Sequence, residues 1–355
     1  MRIGIPREIK AMEGRVALIP EACKQLLSAG HTVIIEQGAG ALSGYGDERY
    51  VAIGVELADG PSELYAAAQL ILKVKEPQTS ELALLNRDHL LFSFLHLAAE
   101  PALGRRLQEI GLTAVAFETV EEDSGRLPLL APMSDIAGRI ATQVGTYLLH
   151  QSHGGKGLLL GGLPAAERGR VVIIGAGTAG GNAAVLAAAA GAEVVVFDIN
   201  RDRLEAMRAL GNNVTGLYPY EDAVAHEVSR ADIVIGAVLM TGARAPHVVT
   251  REMISNMQAG GVVIDISVDQ GGCMETTRPT TYENPTYKEE GVIHFAVTNM
   301  PGAVPRSASQ ALSAALLPYV LALAAPDWKS FKPLTRGINI EAGEVKHPAL
   351  KETFA

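Results

Sequence analysis

One segment constrains the fold more than any other, a G-x-G-x-x-G pattern formed by Gly175, Gly177 and Gly180. The β-branched run Arg170 to Gly175 leads into it, and the Ala-rich segment Asn182 to Ala190 follows. In this context the first glycine permits a tight turn, the second leaves room for a pyrophosphate at a helix N-terminus, and the third permits close helix–strand packing. The pattern therefore predicts a dinucleotide-binding βαβ unit.

A carboxylate at the end of the next β-branched run indicates which dinucleotide binds. Asp198 follows Gly180 by 18 residues, where an acidic side chain accepts hydrogen bonds from the adenosine ribose hydroxyls. This favours NAD over NADP, because a carboxylate would repel a 2′-phosphate. Arg201 and Arg203 leave NADP open, since a nearby arginine accommodates that phosphate. The remaining alternative is a glycine turn that serves only packing.

Short β-branched runs alternate with helical segments in two series, which is typical of parallel βαβ units. The first series contains Thr32 to Glu36, Leu70 to Val74, Leu90 to Leu95 and Thr113 to Phe117. The second contains Arg170 to Gly175, Glu193 to Asp198, Asp232 to Val238, Gly261 to Ile266 and Val292 to Val297. Each series predicts one open sheet. We therefore expect an α/β fold of two Rossmann-like, doubly wound domains separated by a cleft.

Two long apolar helices are expected to connect these sheets. Pro132 to Ser152 has the spacing of a helix that crosses between the domains, and roughly Ser307 to Leu323 follows the second series. The tail from Lys329 is too short for a domain and has the weakest pattern. We expect a discontinuous substrate and catalytic domain, residues 1–130 plus 306–355, into which an NAD-binding domain, residues 131–305, is inserted.

Composition excludes several classes of partner. The net charge is -9, from 30 Lys+Arg against 39 Asp+Glu, and no basic patch offsets it, so we expect no nucleic-acid partner. The longest apolar stretch, Ala311 to Ala325, is too short to span a bilayer and contains Pro318. With no signal-peptide pattern and only Cys23 and Cys273, the expected location is the cytoplasm.

Six further segments carry a family resemblance. They are Gly4 to Glu8, Arg15 to Leu18, Lys73 to Pro77, His96 to Ala98, Asp269 to Cys273 and Asn299 to Gly302. With the dinucleotide motif, and in order over essentially the whole chain, they closely resemble the bacterial alanine dehydrogenases. The resemblance implies NAD-dependent, reversible oxidative deamination of L-alanine to pyruvate and ammonia by a homo-oligomer, typically a hexamer. The sister group, the α subunit of nicotinamide nucleotide transhydrogenase, shares the fold, and a transhydrogenase-like subunit or a non-catalytic NAD sensor are the alternatives.

Two cations are candidates for binding the substrate. A 2-amino or 2-oxo acid needs a positive partner for its carboxylate, and Arg15 offers a planar fork. Lys75 follows a β-branched run, so it is expected at the carboxyl end of a strand, where open α/β sheets bind ligands. The resemblance implies that Arg15 binds the carboxylate and Lys75 the carboxylate or carbonyl oxygen. The alternatives are solvated side chains, a Lys75–Glu76 salt bridge, or Lys73 in place of Lys75.

Two side chains are candidates for proton transfer. His96 ends an apolar run, and an imidazole that titrates near neutrality suits the proton that accompanies hydride transfer. The resemblance implies that His96 is the acid/base and that Asp269 is a second catalytic residue acting on water or ammonia. Asp269 could instead be a turn residue. Asp265 has the pattern of a buried structural partner, and His150 with His153 is too sparse a pair to predict a metal site.

The resemblance also implies cofactor contacts from the glycine loop, from strand ends and from the crossing helix. These residues are Ser134, Gly175, Gly177, Thr178, Ala179, Gly180, Asp198, Arg203, Val238, Leu239, Ser267, Val268, Arg278, Val297, Asn299 and Met300. The chain departs from the family at Thr178, which is often aliphatic, at Ile19, where Thr is common, and at Arg203, where Lys is frequent. None of these departures removes a charge or proton carrier that the implied mechanism needs. Gly211 to Tyr220 matches poorly, so no contact is carried over there.

Overall fold

The computed structural model describes residues 1–238 and 246–354, without the side chains of Gln270 and Glu352. Leu239, one of the predicted cofactor contacts, lies outside the described residues. The chain divides into two compact units, the first made of Met1–Met133 with Pro301–Ala355 and the second of Ser134–Met300. Each unit is built on one open sheet.

The described residues form the following elements. The strands are β1 (Arg2–Ile5), β2 (Thr32–Glu36), β3 (Glu56–Ala58), β4 (Leu70–Leu72), β5 (Leu90–Ser93), β6 (Thr113–Ala116), β7 (Arg170–Ile174), β8 (Glu193–Phe197), β9 (Val214–Leu217), β10 (Ile233–Gly236), β11 (Val262–Asp265), β12 (Thr286–Glu289), β13 (Val292–Phe295), β14 (Ile338–Glu341) and β15 (Glu344–Val345). The α-helices are α1 (Pro20–Ser28), α2 (Asp47–Val51), α3 (Pro61–Ala67), α4 (Thr79–Leu82), α5 (Pro101–Ile110), α6 (Ala131–Leu148), α7 (Thr178–Ala189), α8 (Arg201–Arg208), α9 (Glu221–Ser229), α10 (Arg251–Ser255), α11 (Pro305–Leu323), α12 (Lys332–Arg336) and α13 (Pro348–Phe354).

The sheet of the first unit has the strand order β15-β14-β6-β5-β4-β1-β2-β3. Strands β1 to β6 run parallel, whereas β14 and β15 join antiparallel at one edge. The chain builds outward from β1 in both directions, so the topological switch point lies between β1 and β4. Ligands of doubly wound sheets bind outside the carboxyl ends of the strands at this point.

The sheet of the second unit has the order β12-β13-β11-β10-β7-β8-β9. All of these strands are parallel except the edge strand β12, which pairs antiparallel with β13. The switch point lies between β7 and β10. The core against this sheet is aliphatic, with Val172, Val195, Val234 and Val263 almost fully buried. This agrees with a sequence in which aromatic residues are only 5% of the total.

The predicted fold class, two doubly wound α/β sheets, is confirmed, and every predicted run contains a strand. Most strands end one or two residues earlier than predicted, because the apolar pattern continues into the loops that line the carboxyl edges. Strands β1, β3, β9, β12, β14 and β15 were not among the predicted runs, and all of them except the central β1 lie at or next to an edge of a sheet. Within the described ranges, no helix is long and apolar enough to cross a bilayer.

Candidate active site

Polar side chains of the first unit follow the strands around its switch point. Glu8 follows β1, Lys75 follows β4, His96 follows β5 and Glu118 follows β6. Parallel strands present their carboxyl ends at one edge of the sheet. The fold therefore gathers two carboxylates, an ammonium and an imidazole on this edge.

Arg15 lies in the loop between β1 and α1 and is 2% exposed. Its Nε and Nη2 donate to Glu13 Oε1 and Oε2 at 2.7 and 2.5 Å, and its own N–H donates to Glu13 Oε1 at 3.0 Å. Arg15 Nη1 lies 3.0 Å from Met133 Sδ. The alternative of a solvated surface arginine is wrong, because this guanidinium is buried and its plane is fixed by a two-point ion pair. Sequence reasoning missed Glu13, although it stands only two residues before Arg15.

Lys73 belongs to a buried ion cluster. Its Nζ lies 3.2 Å from Glu8 Oε2 and 2.6 Å from Glu81 Oε1, and Tyr65 OH donates to Glu81 Oε1 at 3.1 Å. Although burial opposes it, the carboxylates of Glu8 and Glu81 raise the pKa of Lys73. Since β4 ends at Leu72, strand alternation does not extend to this lysine.

Lys75 has a different environment. It is 7% exposed, and its positive charge acts on His96. The neighbouring carboxylate Glu76 pairs with Lys10, whose Nζ is 2.5 Å from Glu76 Oε1. Lys73 is thus engaged by two buried carboxylates, and the role of Lys75 in binding a ligand stays a prediction.

A pair of substitutions separates the two lysines. We expect Lys73→Met to lower the free energy of unfolding by about 3 kcal/mol or more, because it leaves two buried carboxylates without their cation. Lys75→Met should lower the free energy of unfolding clearly less, while weakening the binding of a small carboxylate ligand. Urea unfolding of both variants measures the difference, and equal destabilisation would contradict the assignment of Lys73 to a structural cluster.

His96 is held at the end of β5 in the left-handed region, with φ 49°. Its side chain is 29% exposed, its Nδ1 lies 4.0 Å from Glu118 Oε1, and its ring stacks on Phe94 at a centroid distance of 5.7 Å. Burial, followed by the positive charges of Lys75, Lys10 and Arg15, lowers the pKa of His96 to about 3. The imidazole is therefore neutral at neutral pH.

This low pKa predicts an unusual pH dependence of chemical modification. Diethyl pyrocarbonate reacts with neutral imidazole, so an ordinary histidine with a pKa of about 6.5 loses most of its reactivity between about pH 7.5 and 5.5. We expect the modification rate of His96 to remain nearly constant over this interval, as measured by peptide mass spectrometry against N-acetylhistidine. A parallel decline in both would show that His96 titrates normally.

The second unit places the glycine loop between β7 and α7. Gly175 has φ 101°, and a Cβ there would lie 2.6 Å from the Ala237 carbonyl oxygen, while a Cβ at Gly180 would lie 1.8 Å from the carbonyl oxygen of Gly175. At Gly177 a Cβ would meet no atom of the described residues within 4 Å. Two glycines are thus required by packing, and none of the described residues crowds the middle one at the start of α7.

Asp198 ties the glycine loop to the end of β8. Its Oδ2 accepts the N–H of Ala176 at 2.7 Å, and its Oδ1 accepts the N–H of Asn200 at 2.8 Å. Arg203 Nη1 lies 3.7 Å from Asp198 Oδ2, and the Arg203 side chain is 56% exposed. The carboxylate is therefore fixed at the edge of the sheet where the sequence predicted it.

Asp269 is exposed in the short 3-10 helix Ile266–Gln270, which follows β11. The fully buried Asp265 organises this turn by accepting the N–H of Ser267 at 2.9 Å, the N–H of Cys273 at 2.9 Å and the Thr277 hydroxyl at 2.6 Å. Burial raises the pKa of Asp265, and these hydrogen bonds oppose the rise. The interpretation of Asp265 as a structural partner agrees with this arrangement.

Most other predicted cofactor contacts of the second unit follow strands that end at the same edge as Gly175. They are Val238 after β10, Ser267 and Val268 after β11, and Val297, Asn299 and Met300 after β13. Thr178 and Ala179 begin α7, and Ser134 lies in α6. The Arg278 guanidinium stacks over the Tyr287 ring at 3.9 Å. The structure thus gathers Arg15, Lys75 and His96 in the first unit and places Asp269 with the predicted cofactor residues in the second.

Known families match both parts of the chain. The alanine dehydrogenase/PNT N-terminal domain matches residues 4–137, and the C-terminal domain of the same description matches residues 141–348. The chain is 44% identical to the alanine dehydrogenase of Halomonas elongata over 360 residues, covering 100% of this chain and 97% of that one. It is 46% identical to the alanine dehydrogenase of Bacillus subtilis over 327 residues, covering 91% and 86%.

Solved structures agree with these matches. An L-alanine dehydrogenase is similar with a TM-score of 0.95 and 45% identity, covering 100% of this chain and 99% of that chain. A transhydrogenase from Sinorhizobium meliloti is similar with a TM-score of 0.84 and 25% identity, covering 98% and 100%. The chain belongs to the alanine dehydrogenase/PNT family.

Proposed function

We propose that the chain is an oxidoreductase that converts L-alanine, NAD and water reversibly to pyruvate, ammonia (released as ammonium), NADH and a proton. The observation that supports this most strongly is the juxtaposition of Arg15, Lys75 and His96 at the first switch point. Two cations and a neutral imidazole suit a small carboxylate that exchanges a proton. Full-length similarity to alanine dehydrogenases supports the same reaction.

The second unit fits NAD. Gly177, which no described residue crowds, would leave room for a pyrophosphate beside the first turn of α7, whose N–H groups point toward the helix start. The Asp198 carboxylate would accept the ribose hydroxyls and disfavour a 2′-phosphate. The remaining predicted contacts would complete the cofactor site. Those at the same edge are Thr178, Ala179, Val238, Ser267, Val268, Asn299 and Met300, and the others are Ser134, Arg203, Arg278, Val297 and Leu239.

Arg15 and Lys75 would bind and orient the substrate. The guanidinium is preorganised by Glu13, so little side-chain entropy is lost when it pairs with a carboxylate. Lys75 would contact the same carboxylate or the carbonyl oxygen of pyruvate. An anion bound here would offset part of the positive charge around His96, and the pKa of His96 would rise toward neutrality.

His96 would carry the proton that accompanies oxidation. In its neutral form it accepts a proton from the reacting centre during alanine oxidation, and it returns that proton in the reverse direction. Asp269 would orient or deprotonate the water that attacks the imine carbon, or the ammonia of the reverse reaction. When bound, NAD would accept the hydride from Cα of the substrate.

A substrate panel tests this proposal against its alternatives. L-alanine, L-serine, 2-aminobutyrate, pyruvate and glyoxylate are assayed with NAD and with NADP, and NAD binding is measured by calorimetry. We expect the highest kcat/KM for L-alanine with NAD. Hydride exchange between two nicotinamides without an amino acid would indicate the transhydrogenase-like alternative, and NAD binding without any turnover would indicate a sensor.

Three further assignments accompany this function. We propose that residues 131–305 hold the cofactor and that residues 1–130 with 306–355 hold the substrate. We also propose a cytoplasmic homo-oligomer, a hexamer by analogy with the family. Light scattering on the purified protein tests the oligomer, and a monomer would contradict it.

A further inference from the structure

Glu118 follows β6 and reaches across to the chain that follows β5. Its Oε1 accepts the N–H of His96 at 2.6 Å, and both of its oxygens lie 3.3 Å from the N–H of Leu95. The side chain is 14% exposed. One buried carboxylate therefore receives both N–H groups of the turn that presents His96.

This turn requires an external support. A non-glycine residue with φ 49° is sterically disfavoured, and such conformations persist only where the surroundings impose them. Hydrogen bonds to a carboxylate are the stronger kind, and two of them act on this turn. Phe94 supports the turn as well, because its ring stacks on that of His96. It also packs edge-on against Phe117, the residue before Glu118, at a centroid distance of 5.0 Å.

Glu118 also lies beside the imidazole of His96. Its Oε1 is 4.0 Å from Nδ1 of the ring. Burial raises the pKa of Glu118, and the hydrogen bonds from the N–H groups of His96 and Leu95 oppose the rise. The same carboxylate thus binds the backbone of His96 and borders its side chain.

We propose that Glu118 is a positioning residue for catalysis, which holds the turn of His96 in its left-handed conformation and directs the imidazole at the substrate. The proposal rests on the function proposed above, in which His96 transfers the proton.

Three variants test the role. Glu118→Ala removes both hydrogen bonds and the charge, Glu118→Gln keeps an acceptor oxygen, and Glu122→Gln is the matched control, since Glu122 accepts the Tyr319 hydroxyl at 3.0 Å instead. We expect Glu118→Ala to lower kcat about 100-fold, the cost of a misplaced reacting group, while KM for L-alanine and Kd for NAD stay near wild-type values. In Glu118→Gln, kcat should fall about 10-fold. In Glu122→Gln, kcat should equal that of the wild type.

Two readouts separate positioning from general destabilisation. Amide hydrogen exchange of the cofactor-free protein should show loss of protection at Leu95 and His96 in Glu118→Ala, with protection retained in Glu118→Gln. Formate, a small carboxylate, should restore part of the kcat of Glu118→Ala. If Glu118→Ala does not fold, the kcat loss at unchanged KM in Glu118→Gln decides the matter.

Several results would overturn this role. Unchanged amide protection at His96 in Glu118→Ala would do so even if the wild type oxidises alanine, and so would a wild-type kcat in Glu118→Gln. A decrease in activity that follows only the fraction of folded protein would show a structural role. A wild-type protein inactive with every substrate would instead refute the proposed function, whatever the exchange data show.

Discussion

His96→Ala should lower kcat for alanine oxidation by about 100-fold or more, which is the usual contribution of a positioned acid/base. The variant removes the imidazole that accepts the proton, but it changes no residue of the glycine loop, so Kd for NAD should stay close to the wild-type value. Stability should change little, because the neutral side chain is 29% exposed.

The control for this variant is His226→Ala. The His226 side chain is 63% exposed on α9, and the substitution should leave kcat unchanged. Steady-state assays in both reaction directions and calorimetry with NAD provide the measurements. Near-normal turnover of His96→Ala would remove His96 from the mechanism. An equal loss of kcat in His226→Ala would show that the loss is not specific to His96.

Arg15→Lys should raise KM for L-alanine and for pyruvate, with kcat/KM falling about 100-fold or more. The substitution keeps the positive charge but loses the planar fork, and an ammonium cannot pair with Glu13 and with a substrate carboxylate in the same two-point geometry. Hydrogen bonds between charged groups contribute about 1.5–3 kcal/mol each, so losing one or two of them accounts for this factor.

A companion variant, Glu13→Gln, separates binding from orientation. It leaves Arg15 in place with a neutral amide beside it, so we expect a smaller rise in KM and a measurable loss of stability from the unbalanced buried cation. Isothermal titration with pyruvate in the presence of NADH measures the affinities. A wild-type KM in Arg15→Lys would show that Arg15 does not bind the substrate carboxylate.

Part of this site follows directly from periodicity. Parallel strands expose their carboxyl ends at one edge, and Lys75, His96, Asp198 and Asp269 all lie after such strands, whereas the catalytic roles of His96 and Asp269 were implied by the family resemblance. The same rule points to Glu118, which follows the predicted run Thr113 to Phe117. Sequence reasoning stopped at the end of that run and missed the residue next to it.

Other features depend on contacts between distant parts of the chain. Glu118 is 22 residues from His96, and no local pattern pairs them. The tail beyond Lys329 has weak periodicity because β14 is a short strand that needs β6 as its partner, and its buried Asn339 donates to the Thr119 hydroxyl at 2.7 Å. A short segment that contains a polar residue is predicted as a loop when its partner strand is not known.

We propose that Arg15, Lys75 and His96 act on L-alanine, with NAD as the hydride acceptor. The most direct measurement is the near-ultraviolet absorbance of NADH after the purified protein is mixed with L-alanine and NAD, with pyruvate and ammonia quantified in the same sample. We predict one NADH, one pyruvate and one ammonia for each alanine consumed, with the rate reduced about 100-fold or more in His96→Ala. No alanine-dependent NADH, or NADH formed without pyruvate, would contradict the account.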